Sequence, residues 1–167
     1  RGKKAFHQVL LVKNETGYKN LIKLCSLGFT EGMYYFPRID FDLLKQYHQG
    51  IIATTCCLGG IIPQHILYKS EEEAEKIFKQ WLDVFGEDYY IELQRHGIPE
   101  QDKVNQVLLR FARKYNVKII ATNDSHYVNQ EDSEAQDILL CLQTNKLVSD
   151  QSRMRFSSDQ FFFKTKA

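Results

Sequence analysis

Asp124 and His126 stand two residues apart, directly after the apolar run 117–121. Alternate side chains of an extended segment point to the same side, so this pair would present a carboxylate and an imidazole together. Both groups are good ligands for zinc, manganese or iron. The same pattern also fits a capping role for Asp124 and a surface-loop position for His126. The motif alone leaves both interpretations open.

Cys57 follows a second apolar segment and precedes a pair of glycines, Gly59 and Gly60. A thiolate at this point could bind a soft metal such as zinc, and a helix that begins near Gly60 would lower its pKa. The alternative is a small buried residue at a tight turn, which applies more strongly to Cys56. In an extended chain adjacent cysteines point to opposite sides, so the sequence predicts that Cys56 and Cys57 are a poor disulfide pair.

Three further polar residues lie at predicted strand ends. Arg95 and His96 follow the third predicted strand, and in a parallel sheet they would share an edge with Cys57 and Asp124. Arg95 is suited to binding a phosphate, although an ordinary polar loop fits equally well. His7 opens the first predicted strand rather than following it. Strand polarity alone therefore places His7 at the opposite edge and predicts a structural role.

Short apolar runs alternate with segments of helical periodicity along the chain. Strands are predicted at 6–12, 51–55, 89–94 and 117–122, and helices at 17–27, 41–48, 60–68, 71–85, 102–115 and 131–142. Ser70 is the predicted N-cap of the strongest helix. This alternation predicts parallel βαβ units in an α/β fold. Four strands are fewer than the roughly eight of a closed barrel, so the fold is an open sheet or part of a barrel.

The composition is that of an ordinary globular domain. The chain has 167 residues, 43% of them hydrophobic and 26% charged, with a net charge of +1. With so little net charge, any DNA contact would have to be local. No apolar segment approaches the length of a membrane span, and no signal peptide opens the chain, so we predict no membrane association. The four cysteines lack a secreted spacing, which indicates a reducing, cytoplasmic setting.

Motifs of other enzyme classes are missing from the sequence. It contains no phosphate-binding G-x-x-x-x-G-K-[ST] loop, no G-x-G-x-x-G after a strand and no C-x-x-C pair. The first residue is Arg1 rather than methionine, and a predicted strand follows almost at once. We therefore expect that the chain is a piece of a longer protein.

Four motifs, taken in order, resemble the PHP (polymerase and histidinol phosphatase) domain in the form found in alpha subunits of bacterial replicative DNA polymerases. They cover residues 7–14 with 17–21, 54–60, 90–94 with 96–97, and 121–127. The resemblance implies a partial, distorted TIM-like barrel with about four parallel strands alternating with helices. It also implies that residues 1–145 are the C-terminal part of the domain and that 146–167 are a linker toward an absent polymerase palm domain.

By the same resemblance, His7, Cys57, Asp124 and His126 belong to the metal shell, which reverses the structural role assigned to His7. Arg95 and His96 remain at the rim of the site. The family site holds up to three divalent metals, such as zinc, manganese or iron. Its opening His-x-His motif and further ligands would precede this chain, so we expect an incomplete site here and a fragment that is inactive alone.

The resemblance implies a part of a DNA-directed DNA polymerase that acts in DNA replication. With a full metal site the domain would be a 3′–5′ proofreading exonuclease. Without one it would be a structural module that supports the polymerase and docks a separate proofreading exonuclease. A free-standing phosphatase is a third alternative, against which the polymerase-type motif at 17–21 argues. The implied partners are DNA, the sliding clamp and the proofreading subunit, and open sheet edges predict self-association of the fragment.

Overall fold

The computed structural model describes residues 5–165, in which four strands form one sheet and six α-helices surround it. The strands are β1 (Leu10–Val12), β2 (Ile51–Thr54), β3 (Tyr89–Leu93) and β4 (Ile119–Ala121). The helices are α1 (Glu15–Thr30), α2 (Phe41–Gln46), α3 (Ile61–Tyr68), α4 (Glu71–Phe85), α5 (Pro99–Tyr115) and α6 (Ser133–Thr144). Short 3₁₀ turns at Gly86–Asp88 and Gln130–Asp132 precede β3 and α6. The predicted α/β fold with alternating strands and helices is confirmed.

The strand order is β1-β2-β3-β4, and β2, β3 and β4 run parallel as predicted. The prediction is wrong for β1, which pairs with β2 in the antiparallel direction, with Leu10 opposite Ala53. The reason lies in the connection, because α1 and α2 return the chain to the end of the sheet at which β1 finishes. The backbone N–H of Lys13 donates to the carbonyl of Gly50 (2.9 Å), so β2 begins where β1 ends.

A close backbone contact fixes this return. The Asn14 side chain caps α1 by accepting from the N–H of Gly17 at 3.0 Å. Gly17 lies so near Gly50 that a β-carbon on it would overlap the Gly50 carbonyl oxygen. Gly50 itself has φ +72°, a conformation that favours glycine. The two glycines thereby let the start of α1 lie directly against the turn into β2.

One face of the sheet carries the hydrophobic core. Ile51, Ala53, Tyr89 and Ile91 alternate along β2 and β3, and each is at most 1% exposed. Helices α3, α4 and α5 pack together and against these strands through a set of buried apolar side chains. That set is Ile62, Ile66, Ala74, Phe78, Trp81, Phe85, Val104, Val107, Leu108 and Phe111. The core is therefore built from the segments whose helical periodicity was strongest. The predicted N-cap of α4 is also confirmed, because the Ser70 hydroxyl accepts a hydrogen bond from the N–H of Glu73 at 3.1 Å.

The opposite face of the same strands is polar at its carboxyl end. Thr54 on β2, Glu92 on β3 and Thr122 directly after β4 are joined there by hydrogen bonds of both threonine hydroxyls to the Glu92 carboxylate. As far as residues 5–165 show, the sheet is not closed, and β1 and β4 form its two edges. Self-association through these edges stays a prediction. Within residues 5–165 none of the helices has the length and apolarity required to cross a membrane.

The segment predicted as a linker, of which residues 166 and 167 lie outside the described part, is anchored to the domain over much of its length. Arg153 donates from both terminal guanidinium nitrogens to the two carboxylate oxygens of Asp137 on α6, each at 2.6 Å. Residues 156–163, named here the C-terminal strap, then cross the loop that follows β4. The backbone of Phe161 accepts from the N–H of His126 at 2.8 Å, and Tyr127 forms a β-bridge with Phe162.

Candidate metal centre

The reversed direction of β1 brings His7 to the carboxyl edge of the other three strands. Because β1 is antiparallel to β2, the residues before it lie beside the residues that follow β2. The N–H of His7 donates to the carbonyl of Gly59 (3.0 Å), and His7 Nδ1 lies 3.8 Å from Cys57 Sγ. The placement of His7 at the far edge, which rested on strand polarity, is therefore wrong. It assumed four parallel strands.

A cavity of about 270 Å³ opens at this edge of the sheet. Its walls are His7, Gln8, Val9, Cys56, Cys57, Glu92, Gln94, Thr122 and Asp124. Three of the four predicted ligands, His7, Cys57 and Asp124, thus line one space, which brings nitrogen, sulfur and oxygen donors together. This donor set fits zinc and other borderline divalent ions in its chemistry.

The two adjacent cysteines form a left-handed turn rather than an extended segment. Cys56 has φ +64°, and its Sγ lies 3.9 Å from that of Cys57. The prediction that the two side chains point apart is wrong, because it assumed an extended backbone. Cys56 is buried, at 5% exposed, whereas Cys57 is half-buried and faces the cavity. The two sulfurs therefore form a contiguous pair with one accessible member.

Hydrogen bonds hold Cys57 in its thiolate form. Its pKa is lowered to about 5, chiefly by the hydrogen bond that the Cys56 thiol donates and also by the N–H of Gly59 and the ring of His7, against the opposing effect of burial. The same contact, together with burial, raises the pKa of Cys56. A metal-binding cysteine must be deprotonated, so Cys57 is prepared for that role near neutral pH.

Alkylation of Cys57 is expected to be half-maximal near pH 5, where its thiolate forms. Because the pKa of Cys57 is lowered in the folded state, the reactive thiolate persists from alkaline pH down through neutrality. It is lost only as the pH falls through about 5. Reagent uptake at the peptide containing Cys57 can be followed by mass spectrometry across a pH series. The urea-unfolded chain is the reference, and alkylation of its Cys57 should be half-maximal at about pH 8.5.

The Cys56→Ala substitution should raise the pH at which alkylation of Cys57 is half-maximal, because it removes the largest stabilising contact of the thiolate. A midpoint unchanged by this substitution would contradict the assignment of Cys56 as the principal donor.

Glu92 is a buried carboxylate that the sequence interpretation did not select as a site residue. It is 6% exposed and lines the cavity. Thr54 Oγ1 donates to its Oε2 (2.6 Å), and Thr122 Oγ1 and Gln94 Nε2 donate to its Oε1 at 2.5 and 3.3 Å. These three donors, one on β2 and the others directly after β3 and β4, compensate a charge that would be costly to bury alone. The available signal was a single acidic residue within the apolar strand Tyr89–Leu93.

Asp124 and His126 do not have the extended geometry that the sequence predicted. Asp124 has φ +46°, so its backbone turns sharply before His126. Asp124 lines the cavity, while the ring of His126 packs against Phe156 and Phe161 of the C-terminal strap and is not part of the cavity wall. Its Nδ1–H donates to the Asp124 carbonyl at 2.6 Å, which leaves Nε2 as the nitrogen with a lone pair. That pattern is typical of histidines that bind metals through Nε2.

The two predicted rim residues differ in environment. Arg95 is exposed in the loop after β3. His96 is 1% exposed and lies behind the Asp124 loop rather than in the cavity wall. Gln101 Nε2 donates to His96 Nδ1 (2.8 Å), which requires the proton on Nε2, and Nε2–H donates to the carbonyl of Asn123 at 2.7 Å. His96 thereby fixes the backbone that precedes Asp124, and Phe161 stacks on its ring at 4.1 Å.

The donors do not converge on one point. Across residues 5–165 there is no group of three or more His, Cys, Asp and Glu side chains arranged to hold a metal ion. The residues at the edge of the sheet therefore fit a metal in chemical type, while the described part of the chain does not assemble a full ligand sphere.

The chain has an α/β sheet with thiolate, imidazole and carboxylate groups at the carboxyl edge of its strands. This combination is that of a metal-binding α/β domain, and comparison with known protein families gives the same class. The model of the PHP domain matches residues 1–96, and the chain belongs to this family, whose members are generally metal-dependent. The resemblance predicted from the four motifs is confirmed.

Several curated proteins similar to this chain are bacterial DNA polymerase III alpha subunits. That of Borreliella burgdorferi is 48% identical over 164 residues, which is 98% of this chain and 14% of the relative. That of Thermus aquaticus is 48% identical over 160 residues, 96% of this chain and 13% of the relative. That of Treponema pallidum is 44% identical over 165 residues, 98% of this chain and 14% of the relative. The chain thus spans about one seventh of the length of these relatives.

Proposed function

We propose that this chain is the PHP portion of a bacterial replicative DNA polymerase and that it contributes to a metal-dependent phosphoesterase site with 3′–5′ proofreading exonuclease activity. The observation that carries this proposal is the single cavity lined by His7, Cys57 and Asp124, with the buried carboxylate of Glu92 in its wall. The similarity to polymerase alpha subunits along nearly the whole chain supports the polymerase assignment.

The proposed metal ligands are His7, Cys57, Asp124 and His126, and the proposed ions are zinc, manganese or iron, up to three in an intact domain. A bound divalent metal would supply an activated water and would neutralise charge on a phosphate. Cys57 contributes a thiolate, and the hydrogen bond from His126 Nδ1–H to the Asp124 carbonyl leaves the lone pair for coordination on Nε2. A rotation of the His126 side chain away from the C-terminal strap would be needed to bring Nε2 to the cavity.

Other residues of the chain would orient the site. Thr54 and Thr122 hold Glu92 in one position through short hydrogen bonds, and His96 holds the backbone before Asp124. Arg95, exposed in the loop after β3, is proposed to contact a phosphate of the substrate strand. In the proposed reaction, water adds to the phosphorus of the terminal nucleotide and the 3′ oxygen of the preceding nucleotide leaves.

The proposed substrate is the 3′ end of a DNA strand, and the proposed partners of the whole polymerase are DNA, the sliding clamp and a proofreading subunit. We further propose a cytoplasmic location. The net charge of +1 provides no broad electrostatic attraction for DNA, so strand binding would depend on local contacts and on the rest of the polymerase.

A second candidate function is a structural module that supports the polymerase and docks a separate exonuclease. Two observations favour it: within the described residues no three metal-binding side chains form a cluster, and His126 packs against the C-terminal strap. In this alternative the buried hydrogen bonds of Glu92 and His96 serve stability alone.

Asp124→Asn in the full-length subunit is expected to lower both metal content and exonuclease rate at least about tenfold, since even indirect loss of ligand support costs this much. Metal content would be measured by elemental mass spectrometry, and exonuclease activity on a primer with a mismatched 3′ end. Nucleotide incorporation by the same preparation reports whether the subunit is folded.

Asp83→Asn is the matched control, because Asp83 is exposed on α4 and does not line the cavity. It should leave metal content and exonuclease rate unchanged. Unaltered exonuclease activity in Asp124→Asn would refute the catalytic proposal. A wild-type subunit that lacks both metal and exonuclease activity but captures a separate exonuclease subunit would establish the structural alternative.

A further inference from the structure

Cys56 and Cys57 occupy a turn that holds their sulfur atoms together. Their Sγ atoms are 3.9 Å apart, and the left-handed Cys56 backbone turns both side chains to the same region. Hydrogen bonds fix the turn on both sides. The N–H of Cys56 donates to Thr54 Oγ1 at 3.1 Å, and the carbonyl of Cys57 accepts from the N–H of Gly60 at 2.8 Å.

The two thiols differ in access to small reagents. Cys57 is half-buried and forms part of the wall of the 270 Å³ cavity, which is several times the roughly 30 Å³ that one water molecule occupies in the liquid. A peroxide can therefore reach its sulfur. Cys56 is buried directly behind it, at 5% exposed. This arrangement of one accessible sulfur and one neighbouring buried sulfur is that of an attacking and a resolving thiol.

We propose that Cys56 and Cys57 form a reversible vicinal disulfide when the protein meets a hydroperoxide. The Cys57 thiolate attacks one peroxide oxygen, the O–O bond breaks and hydroxide leaves, which gives a sulfenic acid on Cys57. The Cys56 sulfur then attacks the Cys57 sulfur, the S–S bond forms, and the sulfenic oxygen departs as water with the Cys56 proton. Two thiols are oxidised and one hydroperoxide is reduced.

The disulfide is expected to be easily reduced again. Adjacent α-carbons across a trans peptide are about 3.8 Å apart, shorter than the roughly 4.4–6.8 Å that disulfides usually span. Strained disulfides have higher reduction potentials than structural ones and are the labile kind. A small dithiol should therefore return the pair to its reduced form.

Oxidation would also remove Cys57 as a metal ligand, because a disulfide sulfur carries no thiolate. This regulatory consequence rests on the proposed function, whereas formation of the disulfide does not. The two parts can be tested separately, because the covalent change is read by mass and the ligand loss by metal content.

The full chain, treated with a chelator and then with hydrogen peroxide, should yield a proteolytic peptide with an internal Cys56–Cys57 disulfide that dithiothreitol removes. The peptide would have lost two hydrogens and would not react with an alkylating agent until it is reduced. In Cys56→Ser the same treatment should drive Cys57 to sulfinic acid, since the resolving thiol is absent. Cys25→Ser removes an exposed thiol elsewhere and should leave the Cys56–Cys57 disulfide unaffected.

Three results would overturn the proposal. They are sulfinic acid on Cys57 in the wild type with Cys56 still alkylated, oxidation confined to Cys25, and disulfides formed only between chains. If the internal disulfide forms but the zinc, manganese and iron content of the untreated full-length subunit is no higher than that of its Cys57→Ser variant, the disulfide stands and the proposed metal function fails.

Discussion

Replacing Phe78 by alanine is expected to lower the free energy of unfolding by about 3–5 kcal/mol, the usual cost of removing a large aromatic side chain from a core. Phe78 is 0% exposed and lies where α4, α5 and β3 meet. Its ring centroid is 5.3 Å from that of Phe111, 5.4 Å from Tyr89 and 5.6 Å from Tyr115. Truncation would leave a cavity among three rings that cannot all move inward.

Urea unfolding followed by circular dichroism would measure this loss. Because the free energy of unfolding of an ordinary domain is only about 5–15 kcal/mol, the urea concentration at the unfolding midpoint should fall strongly. Phe29→Ala is the matched control: Phe29 is 61% exposed on α1, and its removal should change the free energy by less than about 0.5 kcal/mol. Equal losses for the two variants would contradict the placement of the core.

Glu92→Ala is expected to be nearly as destabilising, by about 3–5 kcal/mol, because its carboxylate is the common acceptor of three partly or fully buried donors. Alanine would leave the hydroxyls of Thr54 and Thr122 and the amide of Gln94 without this acceptor at the carboxyl edge of the sheet. Glu92→Gln keeps the shape and one acceptor oxygen, so its loss should be smaller.

The same unfolding measurement separates these outcomes, and Glu87→Ala provides the control, since Glu87 is exposed in the 3₁₀ turn before β3. A neutral effect of Glu92→Ala would mean that its carboxylate is not the centre of the hydrogen-bonded group. If Glu92→Gln keeps stability but lowers metal content of the full-length subunit, Glu92 also supports the metal centre.

The sequence predicted the helices well because their signals are local. The apolar spacing of α4 and its Ser70 cap place that helix correctly at Glu71–Phe85. The predicted first strand, at 6–12, shortens to Leu10–Val12, and its direction was missed. Pairing direction depends on where α1 and α2 return the chain, which depends on contacts between distant residues such as Gly17 and Gly50.

Much of the candidate site could be anticipated, although not its geometry. Cys57 and Asp124 follow strands, and their position at one edge follows from parallel pairing. His7 was assigned to the site only by family resemblance, because its position requires the antiparallel strand. The left-handed backbone at Cys56 left no signal, because cysteine rarely adopts it. At Asp124 the signal was weak, because aspartate adopts this backbone more often than most residues but is far more often found in other conformations. Glu92 was missed because two of its three partners, Thr54 and Thr122, are distant in the sequence.

The antiparallel entry of β1 limits how this part of the sequence can change in length. His7 reaches Cys57 because Leu10 is held opposite Ala53, and side chains along a strand alternate between faces. Inserting or deleting one residue between His7 and Leu10 would turn the imidazole to the other side of the sheet while leaving every residue type in place. In comparisons among relatives, the spacing from His7 to the first strand is therefore as informative as the histidine itself, and a gap there would mark a site that has lost this donor.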